Sequence, residues 1–461
     1  MTLHELAGAQ PVLLEEMLAA RERRVMQQQE LLRRHGKPLV CFTLNIAGPY
    51  KQFPLAQRTF EEGVRLISRR LGEPAIHLKF QENTGSTAFF VVDSEADAVK
   101  TRMMSLEDSL SIGRLFDIDV LDPSGAKRSR EDMGHSGRRC LLCDRPAAEC
   151  GRARSHSVEE LQQVTVRMMR EYFDRSFADE MAEAAVRALL SEVATTPKPG
   201  LVDRLGNGAH RDMDFFTFIN STAALIPYFR EATLEGLRGK GDSKALFHVV
   251  RCHGQLAEEE MLRATGGVNT HKGLIFSVGI LCAAAGALRG REGREDLDSL
   301  LDAAGQLAAC ALGDLDGVTA RNAQSHGERI FARHGVGGIR REAADGFPHV
   351  RQYALPVLKE SLEAGHPLND AGAAALLNLL AQVYDTNIIH RAGLEALEDI
   401  QARAGAFLQK APTVEEQKVF LAELDEEFVC RNISAGGCAD LLAVAYLLYL
   451  YEKLVCCSKL P

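Results

Sequence analysis

Residues 113–122 read GRLFDIDVLD, and the placement of the two inner acids decides the fold of the N-terminal part of the chain. Read as a strand, alternate side chains share a face. Phe116, Ile118 and Val120 then enter a core, and Asp117 and Asp119 lie together on the opposite face. Carboxylates beside a core are costly unless something pairs with them. Two so placed repel each other, and one takes up a proton unless a cation intervenes. Mg²⁺ meets that demand, because it binds one or two carboxylates together with substrate phosphates. An edge strand with one wet face has the same pattern, so the spacing alone fixes no chemistry.

The surrounding sequence extends this strand into an α+β region. PVLLEEMLAARERRVMQQQELLRRHG has helical apolar spacing and stops at Gly36. KPLVCFTLNIAGP is a short β run closed by Gly-Pro, and LAQRTFEEGVRLISRRLG reads as a helix. AIHLKFQENTGSTAFFVVD predicts two strands around an Asn-Thr-Gly turn. From about residue 158 the texture changes. SVEELQQVTVRMMREYF, FADEMAEAAVRALLSEV, TFINSTAALIPYF, ALFHVVRCHGQLAEEEMLRA and LIFSVGILCAAAGAL are helical, with glycine-rich polar loops between them. The expectation is an α+β domain over residues 1–172 and a larger all-α domain over 173–461.

Length and composition limit the function classes. The 461 residues suggest more than one domain. Hydrophobic residues at 46% and charged residues at 25% supply ample core material, which argues against disorder. A net charge of -9 argues against a general nucleic-acid binder. MTLHELAGAQ is polar and acidic before any apolar run, which is not a signal pattern. The apolar runs at 278–288 and 441–451 are too short to span a bilayer and predict buried helices, so no membrane partner is expected. The 11 cysteines are odd in number and scattered, which fits a reducing cytoplasm better than a disulfide framework.

Two further features of the N-terminal region concern phosphate and metal. In NIAGPYK (45–51) a Gly-Pro turn leads to Lys51, and Ser111-Ile112-Gly113-Arg114 brings small residues and Arg114 to the start of the acidic strand. Backbone N–H groups at such small residues approach phosphate oxygens. Cys140-x2-Cys143-x6-Cys150-x5-His156 has the residue types of a structural Zn²⁺ site, though a reduced cysteine cluster without metal has the same spelling. NIAGPYK, GRLFDIDVL and RRCLLCDRPAAECGRARSHS, in that order, resemble the holo-citrate lyase synthase family of apo-citrate lyase phosphoribosyl-dephospho-CoA transferases. The resemblance implies nucleotidyltransferase-like chemistry. A phosphoribosyl-dephospho-CoA group moves to a serine of the acyl carrier (gamma) subunit of citrate lyase, and pyrophosphate leaves. It also implies that Asp117 and Asp119 are the metal-binding pair.

In the helical half, four polar clusters interrupt sequence that needs nothing polar. TTPKPGLVDRLGNGAHRDMDFFTF (195–218) carries Lys198, Arg204, His210, Asp212 and Asp214. TGGVNTHKGLIFSVG (265–279) puts Asn269, His271 and Lys272 ahead of a helix, and a helix start after a glycine turn is a natural anion site. SHGERIFARHGVGGIRREAADGFP (325–348) adds Arg340, and DTNIIHRAG (385–393) adds Asp385 and Arg391. Any one of these reads equally well as a satisfied histidine, a helix stop or a solvated face. Together they predict a polyphosphate site with metal-binding carboxylates. Neither GxxxxGK[ST] nor a strand-linked GxGxxG occurs, so a P-loop is excluded and a dinucleotide fold is unsupported.

TPKPGLVDR, GAHRDMDFFTF, GGVNTHKGLIF, GVGGIRREA and DTNIIHR resemble, in order, the triphosphoribosyl-dephospho-CoA synthase family. That family turns ATP and 3'-dephospho-CoA into 2'-(5''-triphosphoribosyl)-3'-dephospho-CoA and adenine. The chain thus reads as a fusion of two consecutive enzymes. Residue type assigns Asp212 and Asp214 to metal or base roles, with Glu258 a weaker candidate. Lys198, Arg204, Asn269, Lys272, Arg340 and Arg391 are phosphate or substrate ligands, and His210, His271 and Asp385 serve proton transfer or orientation. Two other readings compete. The same prosthetic group serves malonate decarboxylase, and a nucleotide- or zinc-binding scaffold without catalysis would keep the clusters. The retained acids argue against the scaffold.

Overall fold

A computed structural model describes residues 9–72, 76–143, 145–239, 241–290, 295–315, 319, 322–323 and 326–458. Residues 1–8 of the polar N-terminal stretch and Ser325 of the third polar cluster lie outside them. The chain divides into two compact units, Met1–Asp174 and Arg175–Pro461. The first holds a small sheet and the second is helical throughout its described residues.

In the first unit the order is α1 (Leu14–His35), β1 (Leu39–Leu44), α2 (Pro54–Leu71), β2 (Ile76–Phe80), β3 (Thr87–Val91), α3 (Ala96–Ser109), β4 (Phe116–Leu121), β5 (Lys127–Arg128) and α4 (Ala147–Ala153). Gly36 closes α1 in the left-handed conformation, at the stop that the sequence predicts. The strands form one antiparallel sheet in the order β2-β3-β1-β4-β5. Register pairs Phe42 with Ile118 and Val40 with Val120, so one face gathers these with Phe90 and Phe116 beneath α2 and α3. The other face carries Leu39, Cys41, Phe89 and Val91 under Leu31 and Leu32 of α1. Alternation along β4 then does what period two requires: Phe116, Ile118 and Val120 are buried, while Asp117 is exposed and Asp119 half-buried on the α1 side.

The helix α5 (Val158–Ala194) supplies its first part to one unit and its remainder to the other. Two helical segments read from the sequence are one helix here, because no Gly or Pro separates Phe173 from Phe177. The second unit continues with α6 (Phe215–Arg238), α7 (Ser243–Ala264), α8 (Lys272–Gly290), α9 (Leu297–Ala308), α10 (His326–His334) and α11 (Gly338–Ala344). It ends with α12 (Leu355–Glu363), α13 (Leu368–Leu380), α14 (Thr386–Ala392), α15 (Leu394–Leu408), α16 (Val414–Arg431) and α17 (Gly436–Ser458). The apolar run at 278–288 is part of α8, a 19-residue helix long and apolar enough to cross a membrane by length and composition. Its most apolar window is 72% buried inside the helical unit, which accounts for that composition without lipid. The run at 441–451 lies in α17 and buries Tyr446, Leu448 and Tyr451.

Two glycines let α6 and α8 touch backbone to backbone. A Cβ at Gly286 would stand 2.1 Å from the Thr233 carbonyl oxygen, and one at Gly236 2.1 Å from the Ala283 carbonyl oxygen. The contact fixes α8, whose first turn carries Lys272 and Gly273. Overpacking typically costs about 1–3 kcal/mol. Gly286→Val is expected to reach the top of that range, because the obstacle is backbone, and urea unfolding of the full chain measures it.

Candidate active sites

On the α1 side of the sheet, Asp117 shares a small cavity of about 140 Å³ with Arg21, Arg24, Thr43, Lys51 and Ser86. Lys51 sits on the loop after β1 and donates to the Ile46 carbonyl. Burial, and then Arg21, hold its ammonium below the usual lysine range. Arg24 Nε is buried without a hydrogen-bond partner among the described residues. Asp117 Oδ2 accepts a long hydrogen bond of 3.5 Å from Thr43. Asp119, one residue pair along the same face, is taken by Lys127 at 2.6 Å. The two acids therefore share a face, as expected, yet have different partners.

Arg114 does not join this cavity. Its guanidinium donates to the carbonyls of Arg139 at 2.7 Å and Cys140 at 3.2 Å, because the 3₁₀ turn Ser111–Leu115 aims it at the cysteine segment. There Cys140, Cys143, Cys150 and His156 converge, with one ligand atom from each lying within 4.8 Å of all the others. The quartet predicted from sequence spacing is thus one cluster in space.

In the helical unit a cavity of about 870 Å³ gathers Lys198, His210, Asn269, His271, Lys272, Arg340, Arg391 and Glu258 among its lining. That volume lies in the upper part of the range of roughly 300–1,000 Å³ typical of ligand sites. Asn269, His271 and Lys272 come from the turn into α8, Arg340 from α11 and Arg391 from α14. Lys272 is paired with Glu258 at 2.7 Å, and Arg340 lies 3.9 Å from Glu328. Lys198 is 1% exposed and is paired with Glu192 at the end of α5. His271 is buried. Burial, and then Lys198, push it down to about 3, so it is neutral at physiological pH. Its Nδ1 meets Ser221 Oγ at 2.7 Å, and its Nε2 has no hydrogen-bond partner among the described residues. His210 Nε2 meets Ser434 Oγ at 3.0 Å. Its pKa is lowered, first by burial and then by Arg391.

The remaining expected residues stand outside the cavity lining, with visible structural duties. Asp214 is the N-cap of α6, accepting from Thr217 N at 2.8 Å and Thr217 Oγ1 at 2.7 Å. Asp212 is exposed and lies 3.8 Å from His210 Nδ1. Arg204 donates to the Ala194 carbonyl and to Asn369, tying the 195–214 loop to α5 and α13. Asp385 is buried and accepts N–H groups from Asn387, Ile388 and Cys438. It joins the starts of α14 and α17 and so positions Arg391 and Asp440. In place of Asp212 and Asp214, the cavity presents Glu192 and Asp440. Both were missed in the sequence, although each is an acid within an apolar helical run, LLSEVA and CADLLAV. Asp440 lies so close to Gly273 that a Cβ there would be 1.9 Å from Oδ2. Burial, and then Glu192 and Asp385, hold the Asp440 carboxyl well above the usual carboxylate range. It has no hydrogen bond or ion pair among the described residues, whereas Glu192 and Glu258 each have a lysine.

Comparison with known proteins gives both units a family. Residues 178–458 match the model of CitG, ATP:dephospho-CoA triphosphoribosyl transferase. Residues 12–172 match that of CitX, apo-citrate lyase phosphoribosyl-dephospho-CoA transferase. Protein CitXG of Haemophilus influenzae is 34% identical over 94% of this chain and 94% of its own length. Protein CitXG of Leuconostoc mesenteroides subsp. cremoris is 35% identical over 96% of this chain and 97% of its own. The chain belongs to the CitXG family. A probable 2-(5''-triphosphoribosyl)-3'-dephosphocoenzyme-A synthase of Pectobacterium carotovorum is 42% identical over 61% of this chain, covering 92% of the relative. As a family member the chain is a bifunctional transferase that makes and attaches the citrate lyase prosthetic group.

Asp214 separates a capping role from a chemical one. Asn caps as well as Asp, whereas Ala loses about 1 kcal/mol. Asp214→Asn is expected to keep both thermal stability and adenine release, and Asp214→Ala to lower the unfolding midpoint. Differential scanning calorimetry with an adenine assay reads both.

Proposed function

We propose that the 870 Å³ cavity of the helical unit is where ATP and 3'-dephospho-CoA react, and that the Asp117 cavity is where the product is transferred. In this reading residues 173–461 are the synthase domain and 1–172 a nucleotidyltransferase-like transferase domain. The observation that carries the first assignment is the convergence of Lys198, Lys272, Arg340 and Arg391 on one space that also holds an unpaired carboxylate, Asp440. Cations suit a triphosphate. An unpaired carboxylate suits a base.

In the first reaction the 2'-hydroxyl of dephospho-CoA attacks the anomeric carbon of the ATP ribose, and the bond to adenine breaks. Asp440 accepts the hydroxyl proton, and its raised pKa suits a general base better than an ordinary aspartate would. Asp440 and Glu192 lie near the cation that develops on the ribose, as carboxylates do in glycoside cleavage. Neutral His271, with its free Nε2 in the wall, hydrogen-bonds the departing base or the attacking hydroxyl. Lys272 and Arg340 hold the triphosphate. Glu258 would hold Mg²⁺, which would supply charge neutralisation to the phosphates and leave Asp440 as the base.

In the second reaction a serine hydroxyl of the carrier attacks the phosphorus nearest the ribose, and pyrophosphate leaves. Arg21, Arg24 and Lys51 surround the leaving group. Asp117, with Asp119 once it leaves Lys127, is placed to hold Mg²⁺, which supplies charge neutralisation there too. The carrier is the gamma subunit of citrate lyase, and both steps run in the cytoplasm. The CitX match favours this carrier over that of malonate decarboxylase. A structural Zn²⁺ at the cysteine–histidine quartet completes the metals of the first unit.

Asp440→Asn is expected to lower adenine release at least a hundredfold while ATP still binds by calorimetry. It also carries a stability signature. An acid with a raised folded pKa lends stability at low pH, and that stability is lost as pH rises through the folded pKa. The variant escapes that loss, so it should outlast the wild type in urea at pH 8, with the gap closing towards pH 4. Equal adenine release by both proteins would remove Asp440 from the chemistry. Asp117→Ala is expected to abolish carrier modification by supplied 2'-(5''-triphosphoribosyl)-3'-dephospho-CoA while adenine release continues. Mass spectrometry of the carrier decides this, and an unchanged carrier mass shift in the variant refutes the assignment.

A further inference from the structure

We infer that the cysteine–histidine lobe binds one Zn²⁺ and that the bound ion positions the carrier-transfer site. The activity half of this rests on Asp117 belonging to the transfer step; the metal half does not. Cys143 Sγ lies 3.3 Å from Cys150 Sγ and 3.3 Å from His156 Nε2. Zinc–sulfur bonds of about 2.3 Å at tetrahedral angles put two sulfurs about 3.8 Å apart, so shifts of about 1 Å or less bring all four ligand atoms to the cage. The Leu142 N–H is directed at Cys140 Sγ at 3.5 Å, as suits a thiolate. A pairing between Arg139 and Pro146 closes the turn that holds Cys140 and Cys143, and α4 delivers Cys150. Four protein ligands leave no open position, which makes the site structural rather than catalytic. Three soft sulfurs with one imidazole favour zinc over Mg²⁺.

Three contacts carry the lobe's position to the site. Arg114, at the start of β4, donates to the Arg139 and Cys140 carbonyls. Arg138 returns the link by donating to the Phe116 carbonyl at 2.6 Å, one residue before Asp117. Leu141, inside the metal turn, packs on a cluster containing Ile46 and Leu115. Ile46 is the residue whose carbonyl accepts Lys51. The lobe thus braces both the strand of Asp117 and the loop of Lys51.

The test uses the full chain. Metal analysis should find one zinc per chain, and Cys143→Ser should lower it below a fifth. Carrier modification from supplied triphosphoribosyl-dephospho-CoA should fall at least tenfold in Cys143→Ser, while adenine release stays within twofold and serves as the folding control. His156→Cys alone builds a four-sulfur site and should retain both zinc and modification. Arg114→Ala should keep zinc yet lose modification, which isolates the link from the metal. No zinc above trace in wild type, or two thiols missing because Cys143 and Cys150 have joined, overturns the site. Full modification by a zinc-free Cys143→Ser chain overturns the positioning role.

Discussion

A buried carboxylate accepting backbone N–H groups from two helix starts is the constraint on which the synthase cavity depends. Asp385 is 1% exposed and receives N–H groups from Asn387 and Ile388 at the start of α14 and from Cys438 at the start of α17. Burial raises its pKa and these three donors pull it back, so the bonds offset part of the cost of hiding the group. Gly437 is needed beside it, because a Cβ there would lie 3.0 Å from the Asp385 carboxylate. Helix starts so joined cannot move independently. Arg391 and Asp440 therefore keep fixed places in the wall, which Asp385 itself does not line. Glu107 does similar work in the first unit. It is 2% exposed and holds both Arg130 and Arg138, and Arg138 reaches the backbone of β4.

The legible part of the sequence was whatever depends on neighbours along the chain. Alternation in 116–121 gave the sheet face, Gly36 gave a helix stop, and the Cys-x2-Cys spacing brought two ligands together. The family motifs marked the loops that line the cavity. What was hidden depends on partners far away. Asp214 looks like a ligand until its cap on Thr217 is visible. Arg204 looks like a phosphate ligand until Asn369, 165 residues away, takes it. Glu192 and Asp440 lie outside every polar cluster. An acid inside an apolar helix is the signal that finds them, since such a group needs a partner or a purpose.

The electrostatics of the cavity follow from what must enter it. Lys198 is hidden and spent on Glu192, and its field depresses His271. Lys272 and Arg340 are the more exposed cations, and each leans on a glutamate that a polyphosphate with its metal would displace or share. Asp440 stands apart: burial, and then Glu192 and Asp385, raise its proton affinity.

The two cavities differ chiefly in size, about 870 Å³ against about 140 Å³. In the proposed reading a ribosyl centre losing adenine is open to attack by any water present, and the larger cavity meets it with apolar walls such as Phe218, Phe247 and Ile275. The proposed transfer step must admit a serine on another protein. Asp117 is accordingly exposed at the edge of a space of about 140 Å³, with only the charge of the leaving group to be surrounded. Thr43 and Ser86 of that space are buried, whereas Asp117 is not. The strand and loop of the site are held by polar links to a cysteine-rich segment of little core, in which Cys150 is buried and Leu141 partly so. A segment of that composition gains order from a metal more readily than from packing.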